Sequence, residues 1–381
     1  MKDLGSIHDL PPPDEGGPIA RSGFFFQDHV AAKFCLQMLL DPKLKSVRCE
    51  THDDVVLIWD AEGEDLVEFV QVKGEEDDQL WTIAKLCQRE KSASNKDGAG
   101  TSILERSLAR DACSESTCFR LITVRDTHSE LKILKLPRDH EGRSESAEPF
   151  QAVSKGVEAK IDGFKSAKEN DFSYWLTRAL WEVAETIALA DANRLLLEQV
   201  LAKESLDLFP ENRDRLYEEL LMKVMSAARQ RWQTGKAEKV ISRESLRSWL
   251  RDAAQPYPGL TGSRVLGKKL HDAGLPNEFE DANALRMHFR QQLLTPTYLD
   301  IQHRDLIAEE VRATLHSLRS QLFLRRRDVD GPQFHAECIQ ALERISERLP
   351  AHVQCPPKAF LLGCMYEITT RCQHRFIKPA T

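Results

Sequence analysis

Apolar residues in the first quarter of the chain follow a pattern that predicts a helix and then a β-hairpin. In residues 23–40 they cover most of a helical circumference, and the Asp-Pro pair at 41–42 ends the run. This indicates a buried helix. Residues 55–59 form a short β-branched run, a polar turn follows at 62–65, and residues 66–73 continue as a second strand.

The next stretch alternates between helical and extended patterns. Residues 79–91 and 102–112 are predicted as helices, separated by a loop rich in glycine and serine. Residues 119–124 form a compact apolar run typical of a buried strand, and residues 131–136 are predicted as an edge strand. Strands and helices are thus mixed up to about residue 137.

Beyond that point the apolar spacing becomes helical. One stripe runs from Phe172 to Ala190, another from Ile307 to Leu322, and a third from Phe334 to Leu349. Residues 138–148 contain no large apolar side chain and form the best predicted boundary. The predicted organisation is a flexible tail at 1–17, an α+β domain at 18–137, a linker at 138–149, and an all-α domain at 150–381.

Composition narrows the class of protein. The chain has 381 residues, of which 41% are hydrophobic and 30% charged, and its mean hydropathy is −0.44. Its longest uncharged apolar stretch near the C-terminus, residues 359–366, is less than half of the ~20 residues that a membrane span requires. Nine cysteines are irregularly spaced and no signal peptide is visible, so we predict a cytoplasmic protein with reduced thiols and no membrane association.

Charge is distributed unevenly along the chain. The net charge of −7 does not by itself favour nucleic-acid binding. Between Glu50 and Asp78 there are twelve acidic residues and a single Lys or Arg, Lys73. A region of this kind repels phosphate unless cations are bound in it.

A second uneven region is basic. It contains five arginines and no acid within sixteen residues, Arg312, Arg319, Arg325, Arg326 and Arg327. These side chains form either a solvated helical face or a contact for DNA or an acidic partner.

The candidate chemistry lies at the end of the hairpin. Alternate residues of a strand share a face, so Gln71 and Lys73 point to the same side, roughly 6.6 Å apart along the strand. Asp54 opens the preceding strand, and Glu50 has the same parity if residues 47–54 are extended. Asp53, which is adjacent, is then expected to face the opposite side.

This set of side chains matches the needs of phosphodiester hydrolysis. Asp54, the Gln71 carbonyl oxygen and Glu50 are oxygen ligands of the kind that Mg²⁺ prefers. A protonated Lys73 is not a ligand, but it can stabilise the charge that grows on an attacked phosphate or orient the water. We therefore predict a divalent-metal site with Mg²⁺ or Mn²⁺ as cofactor.

The residues also resemble a known family. Arg21-x-Gly23-x-x-Phe26-Gln27 on a helix, Glu50-x-x-x-Asp54 entering a strand, Gln71-Val72-Lys73 on the next, and the strand at 119–124 look like the PD-(D/E)XK nuclease domain at the N-terminus of CBASS effector endonucleases. The same domain type occurs in anti-phage operons beside HerA-type hexameric ATPases. The resemblance covers about residues 18–136.

The resemblance implies a fold, an activity and a set of roles. The fold is an αβββαβ restriction-endonuclease-like core, and the activity is metal-dependent cleavage of double-stranded DNA in phage defence. Asp54, Gln71 and Lys73 match the catalytic motif, with glutamine in place of the more usual acid. Glu50 and Gln27 match further candidate catalytic positions, and Asp53 is the alternative to Asp54 as metal ligand.

The helices predicted after residue 150 distinguish between the two kinds of defence protein in which this nuclease domain type occurs. Effectors gated by a second messenger are expected to carry an α/β sensor there, and its hydrophobic strands are not visible. The leading prediction is therefore an endonuclease subunit that forms a homo-oligomer and works with a HerA-type ATPase. A nuclease gated by a cyclic oligonucleotide and a catalytically silent DNA-binding or scaffold module are the alternatives.

Overall fold

The computed structural model describes most of the chain. The described residues are 16–74, 79–92, 95–161, 163–204, 206, 208–255, 262–294, 299–324, 329–348, 358–371 and 373–377. The predicted tail at 1–17 lies outside them up to residue 15, whereas Gly16 and Gly17 already belong to the first helix. Arg325, Arg326 and Arg327 also lie outside the described residues.

The chain folds as two compact units. The first contains the residues up to Lys203 together with Asp214–Ala253, and the second contains Glu204–Arg213 and the residues from Ala254 onward. The predicted linker at 138–149 therefore lies within the first unit. That boundary prediction needs correction, because strands that come later in the chain join the sheet of the first unit.

The first unit is a mixed α+β structure. Its opening elements are a long helix, three antiparallel strands, two short helices and a fourth strand: α1 (Gly16–Leu40), β1 (Leu44–Cys49), β2 (Val55–Ala61), β3 (Glu64–Lys73), α2 (Ile83–Leu86), α3 (Ile103–Ala109) and β4 (Ser116–Thr123). The predicted buried helix and hairpin are confirmed. Ser102 caps α3 and forms a capping box with Glu105, which explains why this helix begins at Ile103.

Further elements complete this unit. They are 3₁₀ helices at Ser129–Lys135 and Glu141–Arg143, then α4 (Glu148–Glu158), α5 (Phe172–Arg178), β5 (Ala179–Val183), α6 (Thr186–Lys203), α7 (Pro210–Arg229), α8 (Trp232–Lys239), β6 (Val240–Ser242) and α9 (Arg243–Ala254). Helix α7 begins in the second unit and continues into the first. The edge strand predicted at 131–136 is wrong, since most of that segment is a 3₁₀ helix.

A single six-stranded sheet organises the first unit. Its strand order is β5-β4-β3-β2-β1-β6. The pairs β1–β2, β2–β3 and β1–β6 are antiparallel, whereas β3–β4 and β4–β5 are parallel. Val55 pairs with Val70 across the hairpin, and Lys73 pairs with Thr123 of β4. The start of β2 and the end of β3 therefore meet at one edge of the sheet.

Both faces of the sheet are covered. One face carries alternate residues such as Val56 and Phe69, which pack with Phe119, Phe150 and Trp175 in one hydrophobic cluster. Helix α1 packs across the other face. There Arg120 of β4 lies over the ring of Phe34 of α1, 5.5 Å from its centroid.

The helical stripe predicted at 172–190 is instead a helix, a strand and a helix. In β5 the deeply buried positions Ala179 and Trp181 alternate, because the segment pairs with β4. Short apolar runs fit periods of 2 and of 3.6 about equally well, so the neighbouring strand decided the outcome. With β6, this strand also corrects the expectation that everything after residue 150 is helical.

The tryptophans after residue 150 differ in their burial. Trp175 and Trp181 are each 2% exposed and belong to the hydrophobic cluster of the sheet. Trp232, at the start of α8, is 37% exposed. The hydrophobic surface left for assembly is therefore smaller than the tryptophan content suggests.

The described part of the second unit is helical, as predicted for the end of the chain. Its helices after α9 are α10 (Gly262–Asp272), α11 (Phe279–Leu294), α12 (Ile301–Leu324), α13 (Gly331–Glu343), α14 (Ile345–Arg348) and α15 (Lys358–Thr370). Helices α11 and α15 pack so closely at Gly363 that an added Cβ there would lie 2.3 Å from the Leu285 carbonyl oxygen. Within the described residues, no helix is long and apolar enough to cross a membrane.

Candidate active site

Asp54 and Gln71 lie next to each other in the sheet, where β2 begins and β3 ends. Val55, which follows Asp54, pairs with Val70, which precedes Gln71. The Oδ2 atom of Asp54 accepts a hydrogen bond of 2.7 Å from the backbone N–H of Val72. A carboxylate oxygen and a side-chain amide are thereby brought together at one sheet edge.

Lys73 is the last residue of β3 and lies on the same face of the strand as Gln71. Its carbonyl oxygen accepts a hydrogen bond of 3.1 Å from the N–H of Val124. The following residue, Gly74, packs against α1, where an added Cβ would be 3.0 Å from the Gly23 Cα. Contacts to β4 and α1 therefore hold the strand end that carries Lys73.

Glu50 lies in the turn between β1 and β2. Its backbone is left-handed, with φ of 50°, which is uncommon for a residue other than glycine. Its N–H donates to the carbonyl of Asp54 over 2.9 Å. Its Oε1 atom accepts a hydrogen bond of 2.6 Å from Nε2 of Gln27 on α1. The two further candidates of the sequence motif, Glu50 and Gln27, are thus direct partners.

Asp53 does not follow the strand alternation predicted for it. Residues 51–54 form a bend before β2 begins at Val55, so the parity argument does not apply. Asp53 is 8% exposed and one carboxylate oxygen lies 3.8 Å from Nε of Arg110. Its other oxygen accepts a hydrogen bond of 3.1 Å from the N–H of Asp54.

Several carboxyl groups at this edge hold their protons more tightly than usual. Burial, with the neighbouring Asp54 charge, raises the pKa of Asp53 to about 7. Burial also raises the pKa of Asp54, although the Val72 N–H and the Lys73 charge act in the opposite direction. On α1, burial raises the pKa of Asp28 to about 6, with Glu50 adding to the effect. A bound cation would favour the ionised form of these carboxyl groups and so would lower their pKa values.

The side chains fit a hard divalent cation. The Oε1 atom of Gln71 is buried and has no hydrogen-bond partner within the described structure. No group of three or more His, Cys, Asp and Glu side chains suited to a metal occurs among the described residues. A cation here would therefore use the Gln71 oxygen beside Asp54 and Glu50, and it would satisfy an otherwise unpaired buried atom.

The structure adds residues that the sequence reasoning missed. A cavity of about 550 Å³ opens beside Gln27 and Glu50. Its wall includes Arg21 of the sequence motif and two residues that were not predicted, Asp28 and, from the end of α7, Arg229. Asp28 directly follows Gln27, so it could have been noticed from the sequence. Arg229 carried no such signal, because about 200 residues separate it from α1.

The predicted basic patch is only partly described. Arg312 is exposed on α12. Arg319 donates a hydrogen bond of 2.7 Å to the Gln373 carbonyl and lies over the ring of Phe323. Arg319 therefore has structural partners within the second unit, and a DNA or partner contact by these arginines stays a prediction.

Two comparisons of the sequence with known proteins bear on the site. A family profile described as "Cap4, dsDNA endonuclease domain" matches residues 15–230. Anti-bacteriophage protein A of Escherichia coli K12 is 30% identical over 179 residues, which is 46% of this chain and 31% of that protein. The chain thus matches about a third of the length of this relative.

Solved structures show a weaker likeness. A Cap4 SAVED/CARF-domain containing receptor of Acinetobacter baumannii with the cyclic trinucleotide 3'3'3'-cAAA is 14% identical, with a TM-score of 0.39, over 62% of this chain and 45% of that one. Another structure of the Acinetobacter baumannii Cap4 SAVED/CARF-domain containing receptor is 13% identical, with a TM-score of 0.36, over 62% of this chain and 47% of that one. The chain spans less than half of each.

Proposed function

The chain belongs to the Cap4 double-stranded DNA endonuclease domain family, and from that premise we propose that it is a divalent-metal-dependent DNA endonuclease of anti-phage defence. The observation that carries the proposal is the meeting of Asp54, Gln71 and Lys73 at one sheet edge. Two oxygen donors and one ammonium group at such an edge suit the hydrolysis of a phosphodiester.

Each side chain has a distinct role in this proposal. Asp54, oriented by the Val72 N–H, Gln71 and Glu50 would hold Mg²⁺ or Mn²⁺. Bound there, the ion supplies Lewis-acid activation of water and charge neutralisation at the phosphate. Lys73 stabilises the negative charge that develops on the phosphate oxygens. Gln27 orients the Glu50 carboxylate through their hydrogen bond.

The order of elements supports the finer assignment to a PD-(D/E)XK core. Helix α1, strands β1–β3, helices α2 and α3, and strand β4 follow one another as α, βββ, α and β. The motif residues lie at the start of β2 and the end of β3. We assign a restriction-endonuclease-like core to this part of the first unit. Strands β5 and β6 are additions to this core and form the two outer strands of the sheet.

A plasmid-cleavage assay tests the activity directly. Purified full-length protein is incubated with supercoiled plasmid in Mg²⁺, in Mn²⁺, and in EDTA. We expect linear and smaller products with either metal and intact plasmid with EDTA. An inactive protein would support the silent DNA-binding or scaffold alternative if it still shifted the plasmid on a gel. Activity that resists EDTA would contradict the metal assignment.

We further propose that the protein forms a homo-oligomer and acts with a HerA-type hexameric ATPase. This proposal is supported by the helical second unit, which shows no strand in its described residues and so differs from the α/β sensor of second-messenger-gated effectors. Cleavage is measured with and without the ATPase, and separately with cyclic oligonucleotides. Stimulation by a cyclic oligonucleotide alone would favour gating through the C-terminal unit and contradict the ATPase proposal.

A further inference from the structure

We propose that Lys239 is a positioning residue of the candidate active site, which holds Glu50 in the conformation that a divalent cation requires. The inference rests on the proposed function, because it assigns Glu50 to the metal site. Lys239 lies outside the segment matched by the family profile, which ends at residue 230. It is the last residue of α8, directly before β6.

The Lys239 ammonium group is buried and fully engaged. Lys239 is only 3% exposed, and its Nζ atom donates hydrogen bonds to three backbone carbonyls. These belong to Cys49 at 3.1 Å, Glu50 at 2.7 Å and Ala228 at 3.0 Å. An ammonium group has three donors, so each hydrogen finds one acceptor. Because each hydrogen of this buried ammonium group has an acceptor, the Lys239 side chain is held in one position.

Glu50 depends on three different elements for its conformation. Its N–H binds the Asp54 carbonyl at the entry to β2, and its carboxylate accepts from Gln27 of α1. Its own carbonyl accepts from Lys239. A non-glycine residue with φ of 50° persists only where its surroundings over-determine it. Lys239 supplies the restraint on the carbonyl side.

The sheet explains how Lys239 reaches the turn. Strand β6 pairs with β1 so that Val240 faces Arg48 and Ile241 faces Val47. The residue before Val240 is therefore directed to the end of β1, where the turn starts. The third acceptor, Ala228, is near the C-terminus of α7, where carbonyls lack partners within the helix and a positive charge is favourable. One ammonium group thus joins α7 to the Glu50 turn.

Removal of the Lys239 ammonium group is expected to weaken metal binding, which differs from a general loss of stability. Without Lys239, the Glu50 carbonyl loses its donor and the backbone can relax from the left-handed region. The carboxylate then leaves the position that Gln27 sets. Since Lys239 does not face the reacting atoms in this arrangement, the predicted defect is weaker metal binding, with cleavage recovered when the metal concentration is raised.

The test compares Lys239→Met with Lys203→Met as a matched control. Lys203 also donates from Nζ to backbone carbonyls at a helix end, those of Leu39 at 3.1 Å and Leu40 at 3.0 Å, away from the Glu50 turn. Plasmid cleavage is followed over a Mg²⁺ titration. Loss of an outer partner of a ligand typically weakens metal binding ~10-fold to 100-fold. We expect that rise in half-saturating Mg²⁺ for Lys239→Met and less than about twofold for Lys203→Met.

A second measurement does not depend on activity. The increase in melting temperature caused by Mg²⁺ is recorded for wild type, both lysine variants, Glu50→Ala and the double variant Glu50→Ala/Lys239→Met. If Lys239 acts through Glu50, its replacement adds little to the loss of Mg²⁺-induced stabilisation in the Glu50→Ala background. If Lys239→Met does not fold, Lys239→Gln replaces it in both measurements, since an amide donates hydrogen bonds without the charge.

The outcomes separate this inference from the proposed function. A wild-type protein that neither cleaves DNA nor gains stability with Mg²⁺ overturns the proposed function and with it this inference. A metal-dependent wild type together with a folded Lys239 variant of unchanged Mg²⁺ requirement overturns the inference alone. Equal and additive effects of Lys239→Met in the wild-type and Glu50→Ala backgrounds would also overturn it, because they describe a purely structural lysine.

Discussion

The carboxylate of Asp54 accepts a 2.7 Å hydrogen bond from the backbone N–H of Val72. This contact joins the start of β2 to the strand whose side chains Gln71 and Lys73 complete the candidate site. The Asp54 carboxylate is therefore oriented by main-chain atoms rather than by a mobile side chain. Such an arrangement would keep Asp54, the proposed metal ligand, in place while its surroundings change in charge.

Replacement of Lys73 by alanine is expected to abolish DNA cleavage without loss of the fold. Lys73 supplies a positive charge beside Asp54 and Asp53, in addition to that of Arg110. Loss of a group that stabilises transition-state charge typically costs ~10²-fold or more in rate. Plasmid cleavage and circular dichroism measure the two properties. Lys132→Ala, an exposed lysine on the Ser129–Lys135 3₁₀ helix, is the control. Undiminished cleavage by folded Lys73→Ala would remove Lys73 from the site.

Asp54→Asn is expected to lose metal-dependent cleavage more completely than Asp53→Asn. An asparagine at position 54 can still accept from the Val72 N–H, so the backbone contact survives while the charge is lost. Asp53 lies beside Arg110, which partly neutralises it. Mg²⁺ titrations of both variants compare the two residues. If Asp53→Asn shows the greater defect, the metal ligand is Asp53 rather than Asp54, and the bend at 51–54 directs the Asp53 carboxylate to the metal.

Gln71→Leu is expected to separate stability from metal binding. The buried Oε1 atom of Gln71 has no hydrogen-bond partner among the residues that the structure describes, and a buried unpaired polar atom costs ~1–3 kcal/mol. In EDTA, the melting temperature of Gln71→Leu should equal or exceed that of wild type. The rise in melting temperature on addition of Mg²⁺ should be smaller for Gln71→Leu than for wild type. Gln71→Glu, which keeps an oxygen ligand, should retain more of that increase. A clear loss of stability in EDTA for Gln71→Leu would show that the oxygen has another partner.

The second unit should become less stable in mild acid because of His374. Burial, with the charges of Arg319 and Lys269, lowers the pKa of His374 to about 3. The unfolded chain binds the proton near the ordinary pKa of about 6.5 and the folded chain does not, so this stability is present above that pH and declines as pH falls toward 3. At pH 5 the loss is ~2 kcal/mol.

Urea unfolding at pH 7.5 and pH 5, followed for wild type and His374→Phe, checks this prediction. The variant should lose part of the difference between the two pH values, whatever its absolute stability. His271→Gln is the control, since the His271 side chain is 79% exposed. An unchanged pH dependence in His374→Phe would assign the effect to other groups.

The linear pattern of residues determined the local elements and the order of the motif. The apolar run at 23–40, the hairpin and the acidic residues at its entry each depend on neighbours within a few positions, so the sequence alone predicted α1, β2, β3 and the placement of Gln71 and Lys73 on one face. The helical stripe at 307–322 was equally readable, because α12 buries Ile307, Val311 and Leu315 on one face. The stripe predicted at 334–349 is divided between α13 and α14, and Leu349 lies outside the described residues.

The contacts between distant segments were decided only by the tertiary structure. The segment at 179–183 became a strand because β4 offered a partner, and the bend at 51–54 removed the alternation expected of Asp53. Lys239 meets Glu50 across 189 residues, a contact that carries no periodic signal. Local patterns report which face of an element is buried, whereas strand pairing and buried hydrogen bonds depend on which partner the folded chain brings near.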